Sequence, residues 1–422
     1  MKRISLFLLL FLLLKATVMY SQDGHPETNF RIVPVSPNAA SLGTFGMIPT
    51  DNYVGQANLT IPIYEIDLDG KKFPIALSYH TDGTRVAQEA TWIGLGWTLQ
   101  AGGCVVRQVQ GTDDFAARGC YNLTDAPWLT NPRFEVTDQN LEKYMGYFKG
   151  DYDAEPDMFY FNAGGHSGSM YFDVLKNNRQ LNAVPTIQTQ EKVVKMVYNT
   201  SNKTWTMTDL EGYVYSFSTK EITYYFLNTI DFFQTDITRS HIFPYYNEPQ
   251  IVTAWMLDSV TSPNGGKITF SYKKESIFTP ISTTEDVISL SKIVNGQLSS
   301  QSPQYFTNKF NYNYSYSKIE QWTLSAITFE GGKVEFGTTD REDIESAETG
   351  KKVQKLSSIK VSDTAGNLIK TTMLEYKYLL SGMAATTNGY DDRLLLSKVY
   401  DVAGSKKNNV YTCLLYTSPS PR

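Results

Sequence analysis

Between Pro74 and Arg107 the chain reads PIALSYHTDGTRVAQEATWIGLGWTLQAGGCVVR, an order of residues that few folds can accept. Ile75, Leu77 and Tyr79 alternate with Ala76, Ser78 and His80. A Gly-marked turn follows, and then Gly94-Leu95-Gly96-Trp97 runs into Gly102-Gly103 and a further strand ending at Arg107. Period-two alternation bounded by glycine predicts half-buried strands joined by tight turns. Glycines this dense around Trp92 and Trp97 predict backbone that bends where a large ring must also fit. The expectation is structural: Trp92, Gly94, Leu95, Gly96, Trp97, Gly102, Gly103 and Arg107 shape a packed block, with both tryptophans largely buried.

The remainder points to an all-β chain. Its 28 Tyr and 22 Phe favour strands, and Asn and Gly punctuate them. Val54–Ile66 and Phe73–His80 are predicted strands joined by Asp67-Leu68-Asp69-Gly70, a strong hairpin signal. From Met158 a unit of strand, Gly-containing turn and strand recurs. Its instances are Thr204–Thr208 with Tyr213–Phe217, Ala254–Val260 with Lys267–Tyr272, Trp322–Phe329 with Lys333–Phe336, and Val353–Val361 with Leu368–Tyr376. Leu394–Asp401 begins a fifth. Repeated supersecondary units imply an array in which neighbours bury each other's faces. The predicted fold is therefore successive antiparallel hairpins in an open, curved or shell-like array. One short surface helix is expected near 138–150, where Leu141, Tyr144, Met145 and Phe148 fall at helical spacing. Thr279–Pro303 and Ser381–Asp392 read as exposed loops.

At the GLGW block the chain resembles the N-terminal region of secreted bacterial YD-repeat (RHS-type) proteins. It is also similar there to the shell-forming B component of insecticidal toxin complexes. SPNGGKITFSY and RLLLSKVYDVAG are the kinds of motif expected at that family's hairpins, and full YD signatures are absent. The resemblance implies a non-enzymatic β-scaffold that encapsulates or delivers a C-terminal effector. Its principal partner would be the rest of its own chain. A cell-surface adhesin or glycan-binding β-module is the alternative.

Both ends read as something other than fold. Met1-Lys2-Arg3, an apolar Leu6–Leu14 run and a polar exit near Ser21 have the form of a secretory signal peptide. This implies secretion or display at the surface of a Gram-negative bacterium. Without Lys2, Arg3 and Lys15 the formal charge goes from −5 to −8. A mildly acidic chain with no basic block argues against nucleic acid or an anionic membrane as partner. Cys413–Arg422 (CLLYTSPSPR) reads as a translated sequencing adapter, so the natural chain is expected to continue past Thr412. The expected organisation is signal peptide 1–21, extended lead-in 22–53, an N-terminal β-region 54–175 carrying the GLGW block and a helical insertion, a hairpin array 176–412, and the adapter 413–422.

Catalytic chemistry finds little footing. Gly165-His166-Ser167-Gly168-Ser169 has Ser169 where a hydrolase elbow needs glycine, two residues after its serine, and it reads as a hairpin. The acidic stretch Asp151–Asp157 alternates like a calcium loop, but it has no Gly at the sixth position and Asn162 at the twelfth. A solvated acidic loop and a calcium site both remain open, and the family resemblance adds a capping or turn role for Asp157. His25, His80, His166 and His241 have no ligand spacing. Asn264-Gly265-Gly266-Lys267 lacks the remaining elements of a phosphate loop. No catalytic, cofactor or metal residue is assigned. Cys104 and Cys120 are compatible with a disulfide in an oxidising compartment and also with buried free thiols.

Overall fold

In the computed structural model the described residues are 33–45, 59–79, 88–111, 113–116, 119–122, 141, 153, 155–173, 182–188, 194–230, 237, 239–244, 250–290, 293–294, 297–298, 307–379, 392–403 and 406–412. The chain divides into two compact units. The described part of one lies within 109–157 and Asp173, and the other holds the remaining described residues. The predicted signal peptide, the adapter and nearly all of the 138–150 helix lie outside the described residues.

The larger unit is built from antiparallel hairpins, as the alternation predicts. Leu59–Leu68 pairs with Lys71–Tyr79 through Asp69 and Gly70, both at positive φ (51° and 91°). Two such residues in succession give the turn whose twist matches that of the flanking strands, and Asp-Gly tolerates it best. Trp97–Gln100 adds a third strand, with Leu77 opposite Leu99. Gly103–Gln108 then enters a much larger sheet, pairing on one side with Met158–Ala163 and on the other with Gln250–Thr261.

All four complete hairpins read from the repeating unit are present, with strands longer than the sequence pattern suggested. Trp205 faces Phe217, Ser259 faces Thr269, Ile327 faces Val334 and Ile359 faces Thr372. The fifth pairs Arg393–Ala403 with Lys406–Thr412. Four long strands, Val214–Ile230, Gln250–Thr261, Lys267–Phe278 and Thr307–Phe329, pair in a ring, each hydrogen-bonded to two others of the set. A closed ring removes the edges that an open sheet would expose.

Two segments differ from expectation. Ser282–Leu290, inside the stretch read as an exposed loop, is a strand paired with Thr307–Ser315. Its Ser282–Glu285 side chains face solvent, so a polar composition disguised it. Pro37–Phe45, inside the expected extended lead-in, is a helix. Ser36 caps it: its Oγ accepts from the Ala39 N–H (3.2 Å), and Pro37 takes the first helical position, where no N–H is needed. Ala39 packs with Cys104, Val106, Ala254 and Met256, and Leu42 flanks that cluster. Of its nine residues only Ala39 and Leu42 join that cluster, too few for a periodic signal.

Candidate functional site: the clasp of the GLGW block

The GLGW block folds back on itself before it meets anything else. The Gly94 N–H donates to the Thr91 carbonyl (3.1 Å), and the Trp97 N–H donates to that of Gly94 (3.1 Å). The Thr91 hydroxyl donates to the Trp97 carbonyl (2.7 Å). Gly94 and Gly96 sit at φ 119° and 77°, values that side chains resist. At Gly94 there is a second reason for glycine, because a Cβ would stand 2.9 Å from the backbone nitrogen of Leu396. Removing that atom lets the turn lie directly on the fifth hairpin, where the Leu95 N–H donates to the Leu394 carbonyl (2.8 Å). Ala90, Leu95 and Leu394 seal the contact, with Tyr376, Tyr378 and Leu395 around them.

A buried ion pair completes the junction. Arg341 and Asp343 are 2% and 4% exposed. Arg341 meets the Asp343 carboxylate through Nε (2.8 Å) and Nη2 (2.6 Å). Two further hydrogens go to the carbonyls of Thr91 (3.0 Å, from Nη1) and Ala90 (3.2 Å, from Nη2). Asp343 also accepts the Leu394 N–H (3.0 Å). Only a guanidinium can serve a carboxylate and two carbonyls at once in this way. Arg393 Nε donates to the Gln88 carbonyl (2.9 Å), and the Leu356 N–H donates to that of Trp92 (2.9 Å). Burial raises the pKa of Glu89 beside this cluster, against the fields of Arg393 and Arg341. The block is thus tied to strands some 250 to 300 residues away.

The other block residues face inward. Trp92 and Trp97 are 6% and 1% exposed, Trp92 near Phe336 and Trp97 against Tyr79 with centroids 5.2 Å apart. Gly102 is at φ 97°, and a Cβ on Gly103 would stand 2.5 Å from the Asn162 carbonyl oxygen. Buried Arg107 stacks over the Phe159 ring at 5.6 Å. Cys104 and Cys120 are free, buried thiols. Each lies in an interior that disfavours the thiolate, and burial pushes both pKa values up. In the smaller unit Asp157 accepts the N–H groups of Gln110 (2.7 Å) and Asp114 (3.2 Å), and Asp114 accepts that of Asp157 (3.0 Å). These carboxylates cap backbone. Among the described residues no three His, Cys, Asp or Glu side chains converge as metal ligands.

One polar cluster escaped the sequence reading. The Asp209 side chain, 1% exposed, receives Lys71 Nζ (2.6 Å) and the Tyr215 hydroxyl (3.1 Å), and His166 Nε2 lies 3.7 Å away. Lys71 also meets Glu211 (2.9 Å). Burial works against the ammonium, but these hydrogen bonds outweigh it and raise the Lys71 pKa. Burial equally opposes ionisation of Asp209, whose pKa is nonetheless lowered by Lys71 and the Tyr213 N–H. A lysine held charged and a carboxylate held ionised form a tie between hairpins. Its partners are 138 residues apart, beyond the reach of local pattern. The exposed Ser167 and half-buried His166 and Ser169 occupy the second strand of a hairpin turned by Gly164 and Gly165. Beside it a cavity of about 270 Å³ is lined chiefly by Ile66, Phe73, Ile75, Ile268, Phe270 and Ile327.

No family model matches the sequence, and no curated protein matches it. Among solved structures the chain is similar to the N-terminal domain of the effector protein SpvB from Salmonella typhimurium strain LT2. Identity there is 12% over 82% of this chain and 99% of that one, with a TM-score of 0.37. It is also similar to the Tc holotoxin pore of Photorhabdus luminescens, at 11% identity over 90% of this chain and 16% of that chain, TM-score 0.34. A third similarity is to the TcdB2-TccC3-Cdc42 structure, at 11% identity over 85% of this chain and 15% of that chain, TM-score 0.33.

Proposed function

We propose that this chain is a non-enzymatic scaffold, the N-terminal wall of a YD-repeat-type shell that encloses or delivers a C-terminal effector, exported by its signal peptide. The observation that carries the reading is the clasp. The residues most suggestive of a specialised role, Thr91 to Trp97, are spent on joining early strands to late ones. A chain selected to surround something needs such long-range closures, because local hairpins alone leave an open sheet. The same observation weighs against a glycan-binding surface, which needs exposed aromatic faces. Trp92, Trp97, Trp205 and Trp255 are buried, and Phe243 is the only aromatic among the exposed large hydrophobics of the described residues.

The test is electron microscopy of the full natural chain, with whatever its gene encodes after Thr412. The reading expects a closed particle whose interior segment resists protease. A string of separate β-sandwich domains, with glycan binding on an array, would overturn it.

A further inference from the structure

The segment 33–45 pairs with no strand, yet all four strands of the ring hold it. From Val214–Ile230, the Thr223 hydroxyl donates to the Pro34 carbonyl (3.0 Å) and Glu221 accepts the Ser36 N–H (2.8 Å). Gln250–Thr261 places Ala254 and Met256 against Ala39, and Tyr272 and Trp322 of the other two strands flank that contact. Asn38 Nδ2 donates to Gln321 (3.4 Å), while the Trp92 N–H donates to Asn38 Oδ1 (2.9 Å). These partners and Asn162, which holds Leu42, stand 54 to 283 positions further along the chain. The seat of the segment is therefore incomplete until the last ring strand has paired. A nine-residue helix does not hold together alone in water, so before that point the segment has no structure to keep. The seat also carries a cost. Glu221 is fully buried, and its Oε2 has no hydrogen-bond partner among the described residues. A polar oxygen so placed opposes docking, because undocking returns water to it.

We propose that segment 33–45 is a detachable strap, which docks last on the closed ring and leaves as one unit while ring and clasp stay folded. Detachment breaks no strand pairing. Of the GLGW block only the Trp92 N–H loses a partner; the bonds of Leu95 to Leu394 and of Arg341 to Ala90, Thr91 and Asp343 do not involve the strap. What detachment uncovers is an apolar seat, Met256, Tyr272 and Trp322, ringed by the polar groups that fix the register of this one segment. Such a seat holds its occupant through side chains and caps, and the strap opens at far less cost than the strand ladders beneath it. The inference holds whatever the scaffold encloses.

Native-state hydrogen exchange on the whole chain, corrected for intrinsic rates, tests it. The Ser36, Ala39, Ala40 and Trp92 amides should share one protection factor, at least about a hundredfold below those of Leu95, Phe217 and Ile327. Asn38→Ala, a change on the strap itself, should lower the protection of Ser36, Ala39 and Ala40 about tenfold and leave Leu95, Phe217 and Ile327 unchanged. Ala39 protected as strongly as Ile327 overturns the proposal, because the segment would then leave only with the ring. Trp92 protected like Phe217 while Ala39 exchanges fast also overturns it, since that is fraying of the helix. A second measurement uses the chain cut at a protease site inserted between Phe45 and Leu59. A fluorescein-labelled peptide of residues 33–45 should bind the cut protein saturably. Failure to bind while Phe217 stays protected counts against a detachable strap.

Discussion

Two of the joints between hairpins of the larger unit contrast instructively. Around Trp205 the joint is aromatic. Phe159, Phe172, Tyr198 and Trp255 surround that indole with centroids 4.7 to 6.1 Å away, in tilted, stacked and edge-on arrangements. Such contacts depend on area and shape and have little directionality. At the GLGW clasp the joint is directional: one bidentate ion pair, two arginine-to-carbonyl bonds and backbone bonds that require glycine at position 94. The aromatic joint binds elements within about a hundred residues of one another, whereas the clasp spans two to three times that. Dispersion suffices where the chain already brings strands together. Closing a distant pair in one register calls for groups that accept only one geometry.

Substitutions can break this contrast or sharpen it. The largest effect is expected at Trp205→Ala, which empties the centre of the aromatic joint and should cost about 4–5 kcal/mol in denaturant unfolding. Trp205→Phe should recover much of that, because the joint tolerates repacking. Asp343→Ala leaves Arg341 buried without its anion and should cost about 3–4 kcal/mol. Here the conservative change is expected to fail: Arg341→Lys keeps the charge but lacks the fork, so it should remain close to Asp343→Ala. A well-tolerated lysine would show that charge alone closes the junction. Gly94→Ala combines a strained φ with a backbone clash and should cost about 2–3 kcal/mol, with increased exchange confined to residues 88–97 and 393–396.

The aromatic joint was far more legible in sequence than the clasp. Trp205, Tyr215 and Phe217 alternate with polar residues between glycine turns, and that pattern is local. Trp97 likewise announced itself through the glycines beside it. Arg341-Glu342-Asp343 looks like any solvated charged loop, and nothing within 200 residues indicates that two of its three side chains are buried under Thr91. The Pro37–Phe45 helix is held largely from outside: the Ser36 N–H donates to buried Glu221 (2.8 Å), and Asn162 donates to the Leu42 carbonyl (3.0 Å). A segment stabilised by its surroundings writes little periodicity of its own. The hairpins were readable because their rule is written in adjacent residues; their closure depends on residues hundreds of positions apart.

The central claim is that the GLGW block closes the β-unit rather than decorating it. Native-state hydrogen exchange of the Leu95 amide, which donates to the Leu394 carbonyl, measures that closure directly. If the clasp is integral, Leu95 exchanges only through global opening, with the same free energy as the ring amides of Phe217 and Ile327. Exchange of Leu95 that is orders of magnitude faster than theirs would contradict the account, because the turn would then open while the barrel strands stayed folded.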